Sequence, residues 1–237
     1  MLLGCSTNIP VIRNNDTSRL LAEHRLSRKS RATAIDIPVK GAPPANRGLS
    51  IEISEIDLSA DSLSALTLYR HPFTREAVID FFVKLTGNEE VALVNLYYAD
   101  KYRINPFLIF ALIYTVSGFR PTAVSLNASS VDRGLFQLNN RTFPNLQDDD
   151  FYNVDTNVRH GIRHLIWCLK VAGGNNEKRA LAIYNAGYGR VMTGSIPLST
   201  QAYMRNITAY KERLARNFKS SMEEFLRAET STATASK

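Results

Sequence analysis

The chain has 237 residues, 44% of them hydrophobic and 22% charged, an ordinary globular composition and enough for one medium-sized core with extensions. No apolar run reaches the roughly 18 residues of a membrane-spanning helix. Of the net charge of +7, eight Lys/Arg against three Asp/Glu place +5 in residues 1–47. A basic arm on a nearly neutral remainder argues against a nucleic-acid-binding core. It suits either a tether against an anionic lipid or polymer surface, or a solvated arm without a partner.

Residues 1–46 mix Asn, Ser, Arg and Pro without sustained periodicity and read as a disordered basic tether, with a short helix around Arg19–Arg28. Gly41-Ala42-Pro43-Pro44-Ala45-Asn46 closes the arm as a linker. Residues 47–72 give no single reading: Ile51, Ile53 and Ile56 suit a short strand or an extended packing arm, and Ser62 suits the cap of a helical turn through Leu68.

The compact domain is expected over residues 73–218. Thr74 and Glu76 mark a helix start, and Val78, Phe81, Phe82 and Leu85 form its apolar stripe. Thr86-Gly87-Asn88 ends that helix, and Glu89-Glu90 place negative charge at the N-terminus of the next, which Val91 to Tyr98 fill. Asn105-Pro106 reads as an N-cap and first-turn proline. Phe107 to Ile113 are apolar without a break, so this helix should be buried all round, and Gly118 is its natural stop. Further helices are expected at Asp155–Ala172, Glu177–Ala186, and Thr200–Tyr210 onward through Phe218, with a frayed tail from Glu229 to Lys237. Strand-like segments are nearly absent, so the domain reads as all-α. Cys168, in an apolar helical stretch, reads as a small core residue.

Three segments carry the functional signal: Ala111-Leu112-Ile113-Tyr114-Thr115-Val116-Ser117-Gly118-Phe119-Arg120-Pro121, then Ser130-Val131-Asp132-Arg133-Gly134-Leu135-Phe136-Gln137-Leu138-Asn139, then Ala182-Ile183-Tyr184-Asn185-Ala186-Gly187. In order and spacing they resemble the signature motifs of the lytic transglycosylases, lysozyme-like proteins that cut the glycan strands of peptidoglycan. The resemblance covers roughly residues 90–210. It implies a lysozyme-like helical domain, a glycan-strand substrate, a place in the bacterial cell envelope, no cofactor and no nucleic-acid partner.

The family's only catalytic acid is a Glu immediately before Ser-Gly-Phe; here that position holds Val116. Such an acid must stay protonated near neutral pH, although a free Glu has a pKa of about 4.3. Burial on an apolar helix and the negative potential of a helix C-terminus both raise it, and position 116 has both features. In the family this one residue protonates the bond between N-acetylmuramic acid and N-acetylglucosamine, then takes the C6 hydroxyl proton as an anhydro ring closes. Acid–base help of this kind is worth about 10²–10⁴ in rate, so Val116 implies a retained cleft with impaired cleavage, binding glycan strands and serving other wall enzymes. The alternative is an active enzyme that uses Asp132 or substrate assistance. Asp132 is the weaker candidate, because its position suits a cap for the turn into Leu135–Asn140.

The same resemblance assigns substrate contacts to Ser117, Gly134, Gln137, Asn139, Tyr184, Asn185 and Tyr203: Ser117 to orient substrate or a water, Gly134 to let backbone approach the sugar, and Gln137 and Asn139 to meet acetamido groups. His160 and His164, four apart on a helix, lack the acid between them of a His-Glu-x-x-His zinc motif, and Asn157, Gly161 and Leu165 fit the family's packing pattern instead, so no metal is expected. Finally, Leu2-Leu3-Gly4-Cys5 resembles a lipobox, which implies lipidation at Cys5 and a membrane anchor. Only four residues precede Cys5, short of the roughly 7–15 apolar residues of a signal. That leaves a true start upstream of Met1 or a chance match.

Overall fold

The computed structural model describes residues 15–33, 63–174 and 176–235. Cys5, the linker at residues 41–46, the Ile51–Ile56 segment and Ser62 lie outside the described residues. Two compact units are present, residues 1–38 and 39–237. The first contains helix α1, Asn15–Thr33, longer than the Arg19–Arg28 helix expected from sequence. Good helix formers and an i,i+4 pair between Arg19 and Glu23, 2.7 Å apart, support the extra turns.

The second unit is mostly helical. Its first described helix, α2, Leu63–Arg70, precedes the Phe73 start expected from sequence, and Ala65, Leu66, Leu68 and Tyr69 in it are buried. Thr74 joins it to α3, Arg75–Thr86: its hydroxyl donates to the Leu68 carbonyl at 2.7 Å instead of capping α3. Helix α4, Glu89–Tyr102, is capped by Asn88, whose side chain accepts from the Val91 amide.

Helix α5, Pro106–Ser117, is the axis of the core. Every residue from Phe107 to Ile113 is buried, so no polar stripe is available to face water. Phe110 stacks on Phe82 at 4.3 Å, and Phe218 joins the cluster from helix α9, Leu198–Ala235, which packs along α5. Helix α9 runs on to Ala235, past the fraying expected from Glu229; Thr230 and Ser231 donate back to the Leu226 and Arg227 carbonyls, which holds the last turns helical. Between α5 and α6, Val154–Val171, lies a small antiparallel sheet that the sequence did not announce: β1, Val124–Leu126; β2, Val131–Arg133; β3, Leu138–Asn139, in the order β1-β2-β3. Helices α7, Glu177–Ala186, and α8, Tyr188–Met192, complete the unit. No helix among the described residues is long and apolar enough to cross a membrane.

The sheet is fastened to α6 by Asn157, which is buried. Its side chain accepts from the Phe136 amide at 2.8 Å and donates to the carbonyls of Phe151, 2.8 Å, and Arg133, 3.1 Å. Gly134 sits under this clamp with φ +77°. A Cβ there would lie 2.1 Å from the Phe151 oxygen and 2.3 Å from Asn157 Nδ2, so only glycine fits.

Candidate functional site

A cleft of about 920 Å³ opens between the sheet, the end of α5 and helices α6 to α9. A depression of similar size, about 860 Å³, beside Arg103 and Lys178 contains none of the motif residues. The site is therefore the first of the two, where all three motif segments converge.

The sheet is its floor. The register pairs Ser125 with Asp132 and Asp132 with Asn139, so these three line up across the strands, and all three line the cleft. Side chains in such a row meet their cross-strand neighbours. Both Asp132 oxygens are occupied: Oδ1 accepts from Asn139 Nδ2 at 2.7 Å and Oδ2 from Asn127 Nδ2 at 3.0 Å. Asp132 was expected to cap a turn through backbone amides. It lies instead mid-strand, held by side-chain amides, because the strand projects it between its neighbours.

The two amides expected to meet acetamido groups are committed to the protein. Asn139 Nδ2 donates to Asp132 and to Ser130 Oγ, and its oxygen accepts from the Arg141 amide. Gln137 Nε2 donates to the carbonyls of Ala123 and Gly134, and its oxygen accepts from Ser125 Oγ at 2.6 Å. Both line the cleft, yet their donors hold the hairpin and turn in shape. Gly134 does not line the cleft; it is buried beneath, against Asn157. Ser117 is also buried rather than exposed to a ligand, and its hydroxyl donates to Ile113 O at 2.8 Å, as short polar side chains do near a helix end. Val116, one residue earlier, is partly buried and lines the cleft with Thr115.

The opposite wall is aromatic. Tyr184 faces the cleft while its hydroxyl donates to Phe136 O at 2.9 Å. Asn185 accepts from Thr200 Oγ1 at 2.7 Å, which orients its amide and leaves Nδ2 for a ligand. Tyr203 lines the cleft with its hydroxyl buried and unpartnered among the described residues. Burial pushes both phenols well above their usual pKa, so they serve only as neutral groups.

Four wall residues carry no motif signal. His164 lies parallel to Trp167 with ring centres 5.6 Å apart, and Tyr184 and Phe143 pack against it at 5.0 and 5.7 Å. Burial lowers its pKa to about 4, so it is neutral and apolar-facing at neutral pH. Trp167 is 40% exposed and Tyr188, its neighbour at 6.0 Å, 47% exposed. Among the described lining residues Arg190 supplies the single guanidinium and Asp132 the single carboxylate. Helical spacing alone marks Trp167 as the neighbour of His164, but nothing in the sequence says that this face of α6 is open. His160 stays outside the lining and packs on Phe143 at 5.9 Å.

The cleft thus offers broad ring faces above a rigid polar floor, a combination suited to the flat apolar faces and polar edges of sugar rings. Residues 94–195 match the family model described as the transglycosylase SLT domain, a span that contains all three motif segments. That span of the chain is similar to a transglycosylase SLT domain. The expected kinship with the lytic transglycosylases is therefore upheld, as is the all-α class. Among solved structures, an inactive mutant of the lytic transglycosylase Slt from Pseudomonas aeruginosa is similar, with 18% sequence identity and a TM-score of 0.45. The similarity covers 86% of this chain and 36% of that one, so this chain spans about a third of that protein's length.

Proposed function

We propose that this SLT-domain chain binds peptidoglycan glycan strands in the cleft at the cell envelope and has lost most or all of the ability to cut them. Val116 stands at the position of the family acid and has no proton to give. The observation that carries this reading is the engagement of Asp132, the one carboxylate among the described cleft-lining residues: Asn139 and Asn127 amide groups donate to both of its oxygens, which ties it to the floor instead of presenting it to a glycosidic oxygen as a general acid must be. Trp167, Tyr188, Asn185 and Arg190 supply the contacts, while Gln137 and Asn139 keep the floor rigid.

In the cell this suits a scaffold that positions other wall enzymes on a strand. Lipidation at Cys5 would hold it at a membrane surface; mass spectrometry of the chain expressed with its natural upstream sequence tests that directly.

The function is tested by incubating the unaltered chain and a Val116→Glu variant with insoluble peptidoglycan, measuring both sedimentation with the polymer and release of anhydromuropeptides. The expected result is sedimentation of both proteins, with release by the variant alone. Release by the unaltered chain, abolished by Asp132→Asn, would establish the alternative in which Asp132 is the acid. Absence of sedimentation would remove the glycan reading altogether.

A further inference from the structure

Beside the cleft lies a second, smaller depression of about 570 Å³, lined by Tyr114, Thr115, Asn206, Tyr210 and Arg213 among others. Thr115 lines both spaces, so the two are separated by the width of one side chain at the end of α5. Tyr114 interrupts the buried run of α5: after eight buried residues, Pro106 to Ile113, it is 45% exposed. Its ring lies on Tyr210 of α9 with centres 4.1 Å apart and planes within 15°. The Arg213 guanidinium sits over the other part of this stack, 4.8 Å from the Tyr210 ring centre. Arg213 is exposed and has no carboxylate partner among the described residues, and no acidic residue lines the depression.

Packing of α5 on α9 accounts for Tyr210 but not for a half-exposed Tyr114 or for a cation held without a counter-charge. We propose that the Tyr114–Tyr210–Arg213 ledge is a second binding site, for the carboxylate-bearing peptide side chains that branch from a glycan strand seated in the main cleft. The inference rests on the glycan-strand reading. The occupant is fixed by three features: continuity with the cleft through Thr115, which lets a branch of the same polymer reach the ledge; a free guanidinium, whose planar fork matches a carboxylate; and two ring faces, which take the aliphatic and amide surface of a short peptide. The chain would then select strands that still carry their peptides.

The test compares binding to two preparations of the same soluble glycan strands, one with its peptides and one from which an amidase has removed them. Binding is followed by the fluorescence of Trp167, the only tryptophan. The unaltered chain should bind the peptide-bearing strands roughly tenfold more tightly, the scale of one charge-assisted contact. Arg213→Gln and, separately, Tyr114→Ser should bring that affinity down to the peptide-free level and leave peptide-free binding within about twofold of the original. Equal binding of the two preparations by the unaltered chain would overturn the ledge and leave the cleft standing. A preference untouched by both variants, or an equal loss on both preparations, would also overturn it. Binding of neither preparation would refute the glycan reading and the ledge together.

Discussion

Replacing Asn157 by Ala tests whether the cleft floor is held as its geometry indicates. The side chain satisfies three buried backbone groups: the amide of Phe136 and the carbonyls of Arg133 and Phe151. Each group left unpaired in a dry interior costs about 1–3 kcal/mol. Water entering the space vacated by the amide offsets part of this, so the expected loss is about 3–5 kcal/mol, or a fall in melting temperature of roughly 6–20 °C for a domain of this size. Urea denaturation followed by Trp167 fluorescence gives the free energy directly. The variant should also lose glycan binding before it unfolds, because the turn from Arg133 to Phe136 carries Asp132 on one side and the Phe136 carbonyl that anchors Tyr184 on the other. A loss below about 1 kcal/mol with unchanged binding would show that the hairpin is held by other contacts.

Three further outcomes follow from the same geometry. Trp167→Ala should weaken binding of glycan strands about three- to tenfold by removing an exposed ring face, with little change in stability, as read by isothermal titration. His164 is partly buried with its pKa lowered to about 4 from 6.5, so the unfolded chain binds more protons in that window; its contribution to stability is fully present above about pH 6.5 and should fall by the order of 3 kcal/mol as pH drops towards and past 4. Burial lowers His160 to about 4 as well, so His164→Phe should reduce that slope in denaturation curves taken across the window and leave the share that belongs to His160. Cys168 is buried, with its thiol pushed up to about 12, so in a Cys5→Ser background it should resist iodoacetamide at pH 8 until urea unfolds the domain.

Much of the fold was legible because helices announce themselves locally. Asn105 caps the helix it precedes as expected, Glu177–Ala186 has the expected bounds, and the unbroken apolar run Phe107–Ile113 is the buried axis. The sheet was not legible: its strands are two or three residues long, and their pairing depends on contacts such as Asn157 to Phe136, 21 positions apart. The same limit applies to the site. Motif spacing brings Val116, Asp132, Gln137, Asn139, Tyr184, Asn185 and Tyr203 to one cleft, but it does not say which donors are already spent. Gln137 and Asn139 look alike to a ligand and to a neighbouring carbonyl until partners are known, and Gly134 and Ser117 belong to the layer beneath. Trp167 and Tyr188 were missed because an aromatic at helical spacing reads as core, and only the packing of α6, α7 and α8 leaves those faces open.

In the proposed function, binding and chemistry fall on different elements of this cleft, which gives the valine at 116 a physical rationale. The proposed ligand contacts lie on α6 to α8, whereas position 116 lies in the last turn of α5, partly buried beside an apolar axis and a helix C-terminus. A glutamate there would be resisted by both features whenever it ionised, and the resistance that makes a good acid also destabilises the fold. Val116→Glu should therefore cost about 1–3 kcal/mol at neutral pH. The sign follows from linkage. With the folded-state pKa above the unfolded value of about 4.3, both states are protonated well below pH 4, and there the penalty vanishes. As pH rises past 4.3 the unfolded chain ionises first, so the stability difference between the variant and the unaltered protein should widen until pH passes the folded-state pKa. Denaturation of the two proteins in parallel from pH 4 to 8 measures that difference with His164 common to both. A flat difference would mean that position 116 is too wet to tune a carboxyl group, and that restoring the glutamate would not restore an acid.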